Sequence, residues 1–235
     1  MEEWWMQREG NLYIFDMDGT LFQTEGLAVK AFRETFVHLE ARGVKCPMDV
    51  TDGEIVGTFG RVHEEIWEVL YSRRLTKDEL EVADAILLEE ELALLKRGYG
   101  KLYDCVESTL ETLTKEGAIC AVASNGQQRY IEGIADHFGI SRYFKGGLLS
   151  AGGMRVAQKA DLVGALLKEN PHKHAMMVGD RSSDIAAGMA HGIHTVACQY
   201  GFGSLEEWRM ADDQVHRFDE ILNLTPRARR TMIKP

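Results

Sequence analysis

Short apolar runs alternate along the chain with segments in which apolar residues recur every three or four positions. The runs predict buried strands at residues 12–15, 118–123, 175–178 and 194–197, with another short strand near Val215. From about residue 101 onward, segments of helical period separate these runs. This alternation is typical of a mostly parallel sheet with helices on both faces, so we expect a Rossmann-like α/β core.

The segment between the first strand and residue 98 has a different pattern. Its apolar residues are spaced as on amphipathic helices, and Gly98-Tyr99-Gly100 follows as a predicted hinge. Asp78 is the predicted N-terminal cap of its last helix. Because strand signals are scarce here, we expect residues 22–98 to form a small helical bundle, inserted into a core made of residues 1–21 and 99–235.

The end of the first strand carries the strongest chemical signal. Asp16 and Asp18 follow it, with Gly19 and Thr20 after them. Residues two apart in an extended chain point the same way, and ligand sites of open α/β sheets lie beyond the carboxyl ends of the strands. Two adjacent carboxylates stay ionised at low cost only when a cation or proton lies between them. Oxygen ligands of this kind favour Mg²⁺ when phosphate is also bound. Gly19 is expected at a sharp turn.

Polar residues also follow the later strands or begin the helices after them. In chain order these are Ser124, Asn125, Lys159, Asp180 and Asp184. Each residue type alone is also typical of a helix cap, a first-turn acid or a solvated side chain. The carboxyl ends of parallel strands share one edge of the sheet, so we expect these groups to surround one ligand.

The combination resembles the four motifs of the haloacid dehalogenase (HAD) superfamily. The motifs are Asp-x-Asp-Gly-Thr from Asp16, Ser-Asn-Gly from Ser124, Lys159, and Gly-Asp-x-x-x-Asp from Gly179. They occur in the family's order, and the likeness covers nearly the whole chain. The helical insertion lies where this family has a C1-type cap. A later stretch, residues 199–204, resembles the phosphoglycolate phosphatase branch.

This resemblance implies a Mg²⁺-dependent phosphatase that hydrolyses a small phosphate monoester, such as phosphoglycolate, a sugar phosphate or a nucleotide, through an aspartyl-phosphate. Asp16 would be the nucleophile and Asp18 the general acid and base, while Lys159 neutralises the nucleophile and the phosphoryl group. An Asp at the second motif position is typical of phosphatases and phosphomutases, and the dehalogenases lack it. The implied phosphate-binding residues are Thr20, Ser124, Asn125 and Lys159.

The resemblance also implies the Mg²⁺ ligands. They are Asp16, Asp18 through its backbone carbonyl, Asp180 and Asp184, and Asp184 either acts through water or orients Lys159. Where the family commonly has the sequence Lys-Pro-x-Pro, this chain has Gln158-Lys159-Ala160-Asp161. Arg155 and Lys145 are therefore the alternative cations.

The insertion offers a candidate substrate contact in residues 57–63, where glycines precede Arg61 and His63. We expect Arg61 to contact the substrate, although a solvated loop between two helices explains the same residues. A phosphonoacetaldehyde hydrolase would need a lysine in the cap, and neither Lys30 nor Lys45 lies in an apolar setting.

Two alternatives to a phosphatase stay open. A phosphomutase of the β-phosphoglucomutase kind shares every core residue of the motifs. A non-catalytic phosphate-binding module is the other alternative, but it would not need both a nucleophile and an acid/base.

Composition narrows the expected partners. The chain has 235 residues and a net charge of −10, without an extended basic stripe, so we expect no nucleic-acid partner. No apolar run reaches the length of a membrane span, and the first residues do not resemble a signal peptide, so we expect no membrane partner. The four scattered cysteines predict reduced thiols. We therefore expect a soluble cytoplasmic protein, a monomer or homodimer, whose partner is a small phosphate ester.

Overall fold

The centre of the computed structural model is a six-stranded sheet. The structure describes residues 8–228 except Met48, Arg155 and Ala157. The strands are β1 (Leu12–Phe15), β2 (Phe22–Gln23), β3 (Lys101–Leu102), β4 (Ile119–Ser124), β5 (Leu148–Ser150), β6 (Ala175–Gly179), β7 (His194–Cys198) and β8 (Asp213–Val215). The large sheet has the order β5-β4-β1-β6-β7-β8, and all its neighbouring strands run parallel. The predicted α/β fold class is confirmed.

Helices cover this sheet and also form the segment between β2 and β3. They are α1 (Glu25–Ala41), α2 (Asp52–Val56), α3 (His63–Tyr71), α4 (Lys77–Lys96), α5 (Val106–Lys115), α6 (Gln128–His137), α7 (Ala151–Met154), α8 (Lys159–Glu169), α9 (Ser182–Ala190) and α10 (Leu205–Trp208). In the described part of the chain, short 3-10 helices cover Ser141–Tyr143 and Phe218–Asn223.

The central strand β1 is apolar throughout because both of its faces are covered. Tyr13 and Phe15 belong to the larger apolar core, whereas Leu12 and Ile14 belong to a second core that includes residues of α8. Adjacent residues of a strand point to opposite faces. The continuous apolar run is therefore what a doubly covered parallel strand requires.

Helices joined by loops, and no strand, make up the described residues of the segment between β2 and β3, as its pattern predicts. Within it, α1 packs along α4. The cap of α4 differs from the prediction, because Thr76 rather than Asp78 holds that position. The Thr76 hydroxyl accepts a bond from the Glu79 amide, and the Glu79 carboxylate accepts one from the Thr76 amide. Two reciprocal bonds satisfy two free amides, and Asp78 lies in the first turn.

A two-stranded antiparallel ribbon connects the sheet to the helical segment. Phe22 pairs with Leu102, and Gln23 pairs with Lys101. The chain therefore leaves the sheet region and returns to it at adjacent points. Two-residue strands are too short for a sequence pattern, so the ribbon was not predicted. The proposed domain boundaries around residues 22–98 stay a prediction.

The described helices do not include one with the length and apolar character that crossing a bilayer requires.

Candidate active site

The site is built at the carboxyl ends of β1, β4 and β6. Asp16 follows β1 directly, is buried, and donates its backbone amide to the carbonyl of Val178 on the neighbouring β6. Gly19 then has a φ of +79°, in the region that glycine adopts without strain. The expected sharp turn is therefore present, and Thr20 follows it in a fully buried position.

Lys159 connects two of the predicted carboxylates. It is the first residue of α8 and is buried, and its Nζ lies 2.8 Å from Asp16 Oδ1 and 2.5 Å from Asp184 Oδ1. Burial opposes the charge on Lys159, but the two carboxylates outweigh that effect and raise its pKa. Lys159 therefore stays a cation between Asp16 and Asp184. The alternative Lys145 is exposed, and Arg155 lies outside the described residues.

Three buried carboxylates form one cluster. Asp16, Asp180 and Asp184 each have an oxygen within 4.8 Å of the others. Burial, followed by the charge of Asp184, raises the pKa of Asp16 well above its usual range. The same two causes raise the pKa of Asp180 to about 7. One lysine does not balance three carboxylates, and a set of hard oxygen ligands with excess negative charge fits a divalent cation.

Neighbouring groups orient Asp180. The backbone amide of Phe202 donates to Asp180 Oδ2 over 2.6 Å, and the Thr20 hydroxyl lies 3.3 Å from Asp180 Oδ1. The hydroxyl of Thr20 thus contacts the carboxylate cluster, and its predicted role in phosphate binding stays a prediction. Phe202 belongs to the 199–204 stretch, which therefore contacts the site through its backbone. A backbone donor of this kind has no sequence signature.

Asp18 has separate partners. Its Oδ1 accepts a hydrogen bond from the Thr24 hydroxyl over 2.6 Å and one from the Tyr130 hydroxyl over 2.8 Å. Burial raises the pKa of Asp18, although these two bonds oppose the shift. The Asp18 side chain does not belong to the three-carboxylate cluster. Sequence reasoning missed both Thr24 and Tyr130.

Ser124 and Asn125 lie at the end of β4. Ser124 is buried, and its Oγ accepts a bond from the Gly126 amide over 3.1 Å. Asn125 Nδ2 donates to the Gly60 carbonyl over 2.8 Å, so its amide contacts the helical segment. Asn125 Oδ1 is buried and has no hydrogen-bond partner among the described residues.

A small cavity joins these groups to the helical segment. It has a volume of about 40 Å³, which is room for a few water-sized molecules. Asp16, Asp18, Ser124 and Lys159 line it from the core. Its other walls include Phe32, Phe59, Arg61, Ile66, Leu87 and Glu91. The exposed Arg61 therefore lies at the same cavity as the predicted catalytic residues.

The sequence model of the family described as "Haloacid dehalogenase-like hydrolase" matches residues 13–198 of this chain. The chain belongs to the haloacid dehalogenase-like hydrolase family. The matched range includes every residue of the cluster around Asp16, and the predicted family is confirmed.

Relatives within the family carry different names. The "Tyrosine-protein kinase PtkA" of Mycobacterium tuberculosis is 31% identical over 197 residues, covering 82% of this chain and 63% of that protein. A "Probable phosphoglycolate phosphatase" of Pseudomonas putida is 31% identical over 147 residues, covering 57% of each chain. This HAD-like chain therefore spans less than two thirds of the length of either relative.

Solved structures of HAD-like proteins share the fold. CbbY from Rhodobacter sphaeroides, crystallised in complex with phosphate, superposes with a TM-score of 0.75 at 23% identity, over 89% of this chain and 95% of that chain. The likeness extends across both the sheet and the helical segment, because it covers most of both chains.

The loop between α2 and α3 closes the cavity of this HAD-like hydrolase from above the sheet ends. Arg181 NH1 donates to the Phe59 carbonyl over 2.5 Å, and the rings of Phe59 and Phe202 meet edge to face at 5.3 Å. Together with the bond from Asn125 to Gly60, these contacts hold residues 57–62 against the core. The helical segment is therefore in direct contact with the core at the site.

Proposed function

We propose that this chain is a Mg²⁺-dependent phosphatase that hydrolyses a small phosphate monoester through an aspartyl-phosphate on Asp16. The observation that carries the proposal is the position of the Asp16 carboxylate, between Lys159 Nζ at 2.8 Å and two further buried carboxylates. Asp18, two residues later, lines the same cavity with its carboxylate bound elsewhere. One carboxylate is thus placed for attack on phosphorus, and the other for proton transfer.

The cluster residues Asp16, Asp180 and Asp184 would hold the cation. Bound Mg²⁺ supplies positive charge for the phosphoryl oxygens and for the attacking carboxylate. Lys159 would add a fixed positive charge, and the Ser124 hydroxyl would hold a phosphoryl oxygen at the end of β4. Arg61, from the closing loop, would contact the outer part of the substrate.

The reaction then proceeds in two steps on this chain's own groups. An oxygen of Asp16 attacks phosphorus, the bond from phosphorus to the leaving oxygen breaks, and Asp18 gives its proton to that oxygen. The raised pKa of Asp18 favours the protonated form that this step needs. Asp18 then takes a proton from water, which attacks the phosphorus of the aspartyl-phosphate. The bond from phosphorus to the Asp16 oxygen breaks, which releases inorganic phosphate and restores the Asp16 carboxylate.

The kinase name of the mycobacterial relative supports a second candidate, which is phosphoryl transfer from a nucleoside triphosphate to a tyrosyl hydroxyl. The support is 31% identity over 82% of this chain. The cavity of about 40 Å³ beside Asp16 and Asp18 has room for water or a small acceptor group. A phosphomutase would also form the Asp16 phosphoenzyme and would return the phosphoryl group to a sugar phosphate. The cytoplasmic location and the monomeric or homodimeric state belong to the same proposal.

The test measures phosphate release from a panel of phosphate monoesters, with Mg²⁺ and with EDTA. We expect release that needs Mg²⁺ and that falls by at least about 1,000-fold in Asp16→Asn, because the nucleophile is lost. The control is Asp161→Asn, an exposed aspartate in the first turn of α8. Full turnover by Asp16→Asn would reject the covalent mechanism. Formation of phosphotyrosine from ATP without ester hydrolysis would favour the kinase.

A further inference from the structure

Glu91 is a buried acid that the proposed mechanism does not use. It lies on α4, its exposed fraction is 5%, and its Oε2 has no hydrogen-bond partner among the described residues. Buried carboxyl groups are usually paired or hydrogen-bonded, because burial without a partner costs free energy of folding. An exception at this position therefore calls for a physical reason.

The surroundings of Glu91 offer that reason. Its side chain lines the active-site cavity together with Asp18 and with apolar residues such as Ile66 and Leu87. No ion pair joins Glu91 to a lysine, arginine or histidine in the described part of the chain. A leucine would suit the apolar wall better, so the carboxyl group lowers stability at a place where it can touch the bound substrate.

We propose that Glu91 recognises a hydroxyl group on the leaving alcohol, so that the preferred substrate is the phosphate ester of a small polyol or sugar. This inference rests on the proposed phosphatase function and specifies its substrate class. An oxygen of Glu91 can accept a hydrogen bond from a hydroxyl in either protonation state of the acid. Glu91 and Asp18 both line the cavity. A leaving alcohol that extends from the phosphate group towards Glu91 therefore passes beside both residues.

A substrate carboxylate is a poor fit at the same place. It would place a charge against the apolar wall formed by residues such as Ile66 and Leu87, where burying a charge costs more free energy than burying a neutral hydroxyl. A substrate ammonium group would need an ionised Glu91. Burial, and then the charges of Asp18 and Asp84, raise the pKa of Glu91 and disfavour that form. A neutral hydroxyl is the group that remains, and phosphoglycolate is therefore expected to be a weak substrate.

The experiment compares three esters of nearly equal size: 2-hydroxyethyl phosphate, ethyl phosphate and phosphoglycolate. A pair of esters with a longer carbon chain, glycerol 1-phosphate and propyl phosphate, extends the comparison. In the Mg²⁺-loaded wild-type protein, kcat/KM should be at least about 10-fold higher for the hydroxylated ester, the factor that one hydrogen bond provides. Phenyl phosphate has no hydroxyl group on its leaving group, so its hydrolysis measures activity that does not depend on recognition of such a hydroxyl.

Three variants assign the preference to Glu91. Glu91→Met should remove the preference for the hydroxylated ester, whereas Glu91→Gln should keep most of it because the amide oxygen also accepts from a hydroxyl. Glu89→Met, on an exposed position of the same helix, should change nothing. Glu91→Met should also melt at a higher temperature than the wild type, since it removes an unpaired buried acid.

The outcomes separate this inference from the proposed function. If phenyl and alkyl phosphates are hydrolysed but the hydroxylated esters are no better, or phosphoglycolate is best, the role of Glu91 is rejected and the phosphatase stands. If Glu91→Met still prefers the hydroxylated esters, the proposed role of Glu91 is rejected as well. If no ester releases phosphate from the folded, Mg²⁺-loaded protein, the phosphatase function fails and the inference fails with it.

Discussion

Asn125 in the core donates a hydrogen bond from its Nδ2 to the carbonyl oxygen of Gly60 in the helical segment, over 2.8 Å. Asn125 directly follows Ser124, the predicted phosphate-binding hydroxyl. On the other side of the site, Arg181 follows Asp180 and bonds the carbonyl of Phe59. The closing loop is therefore held by the same core segments that carry the proposed phosphate and metal ligands.

Gly60→Ala should impair this closure. Gly60 has a φ of +86°, and an added Cβ would lie 2.8 Å from Arg181 Cγ, so the loop or Arg181 must move. We expect kcat/KM for any active ester to fall by roughly 10- to 100-fold, because small displacements of positioning groups are costly. The control is Gly53→Ala on α2, where the nearest atom to the new Cβ is 3.9 Å away. Unchanged steady-state kinetics of Gly60→Ala would show that closure does not depend on this turn.

Lys159→Met should destabilise the metal-free protein. The substitution leaves Asp16 and Asp184 buried without the cation that now lies between them. Breaking a buried pair costs about 3–5 kcal/mol, which corresponds to a melting temperature lower by roughly 6–20 °C. Added Mg²⁺ should recover part of the loss, since it binds only the folded carboxylate cluster. Lys168→Met, at an exposed position near the end of the same helix, is the control for thermal melting in EDTA. Equal melting temperatures of the two variants would contradict the structural role of Lys159.

Tyr130→Phe should lower kcat by about 10-fold with little change in KM. The lost hydroxyl now holds Asp18 Oδ1 at 2.8 Å, so the acid/base would keep only its bond from Thr24. The size follows from one hydrogen bond of about 1.4 kcal/mol at the reacting group. Tyr143→Phe removes another buried tyrosine's hydroxyl far from Asp18 in the chain and serves as the control. If Tyr130→Phe raised KM alone, the residue would act on binding rather than on Asp18.

Stability should fall below neutral pH because of His194. This buried side chain of β7 bonds Asp213 Oδ2 through Nε2 over 2.7 Å, while its Nδ1 is buried and has no partner among the described residues. Burial lowers the pKa of His194, with Arg227 acting in the same direction, and outweighs the opposite effect of Asp213 and Asp212.

The unfolded chain therefore takes up the His194 proton near pH 6.5, before the folded protein does. The free energy of unfolding should decrease as the pH falls from about 6.5 towards the lower folded pKa, with a slope of at most about 1.4 kcal/mol per pH unit from this group. Urea unfolding of the wild type and His194→Gln, at several pH values, measures the difference in slope. His172→Gln, which is exposed, should behave like the wild type. Parallel curves for the wild type and His194→Gln would reject this account.

Much of the core could be predicted from the sequence, for a simple physical reason. Parallel strands covered on both faces are continuous apolar runs, and β1, β4, β6 and β7 were recognised in this way. The carboxyl ends of such strands meet at one edge, so Asp16, Lys159, Asp180 and Asp184 could be grouped before any coordinates existed. Their catalytic and metal-binding roles stay predictions.

The residues that were missed depend on contacts between distant segments. Tyr130 looks like any apolar helix position until its hydroxyl is seen to reach Asp18. The contact of the Asn125 amide with the backbone carbonyl of Gly60 was also not predicted, whereas its phosphate-binding role stays a prediction. Glu91 did leave a signal, because it falls four residues after Leu87 and four before Leu95, on the apolar face of α4. Because the apolar face of a helix packs into the core, the position of Glu91 on this face already indicates that its side chain is buried.

The ribbon of β2 and β3 has a consequence for how such a protein diversifies. The two chain crossings into and out of the helical segment are hydrogen-bonded neighbours, so their backbones lie only about 5 Å apart. A different polypeptide with its ends equally close can be spliced in at that point without altering any strand of the large sheet. Under the proposed function, exchange of the helical segment would change which alcohol is accepted, while the residues proposed to handle phosphorus would be inherited unchanged.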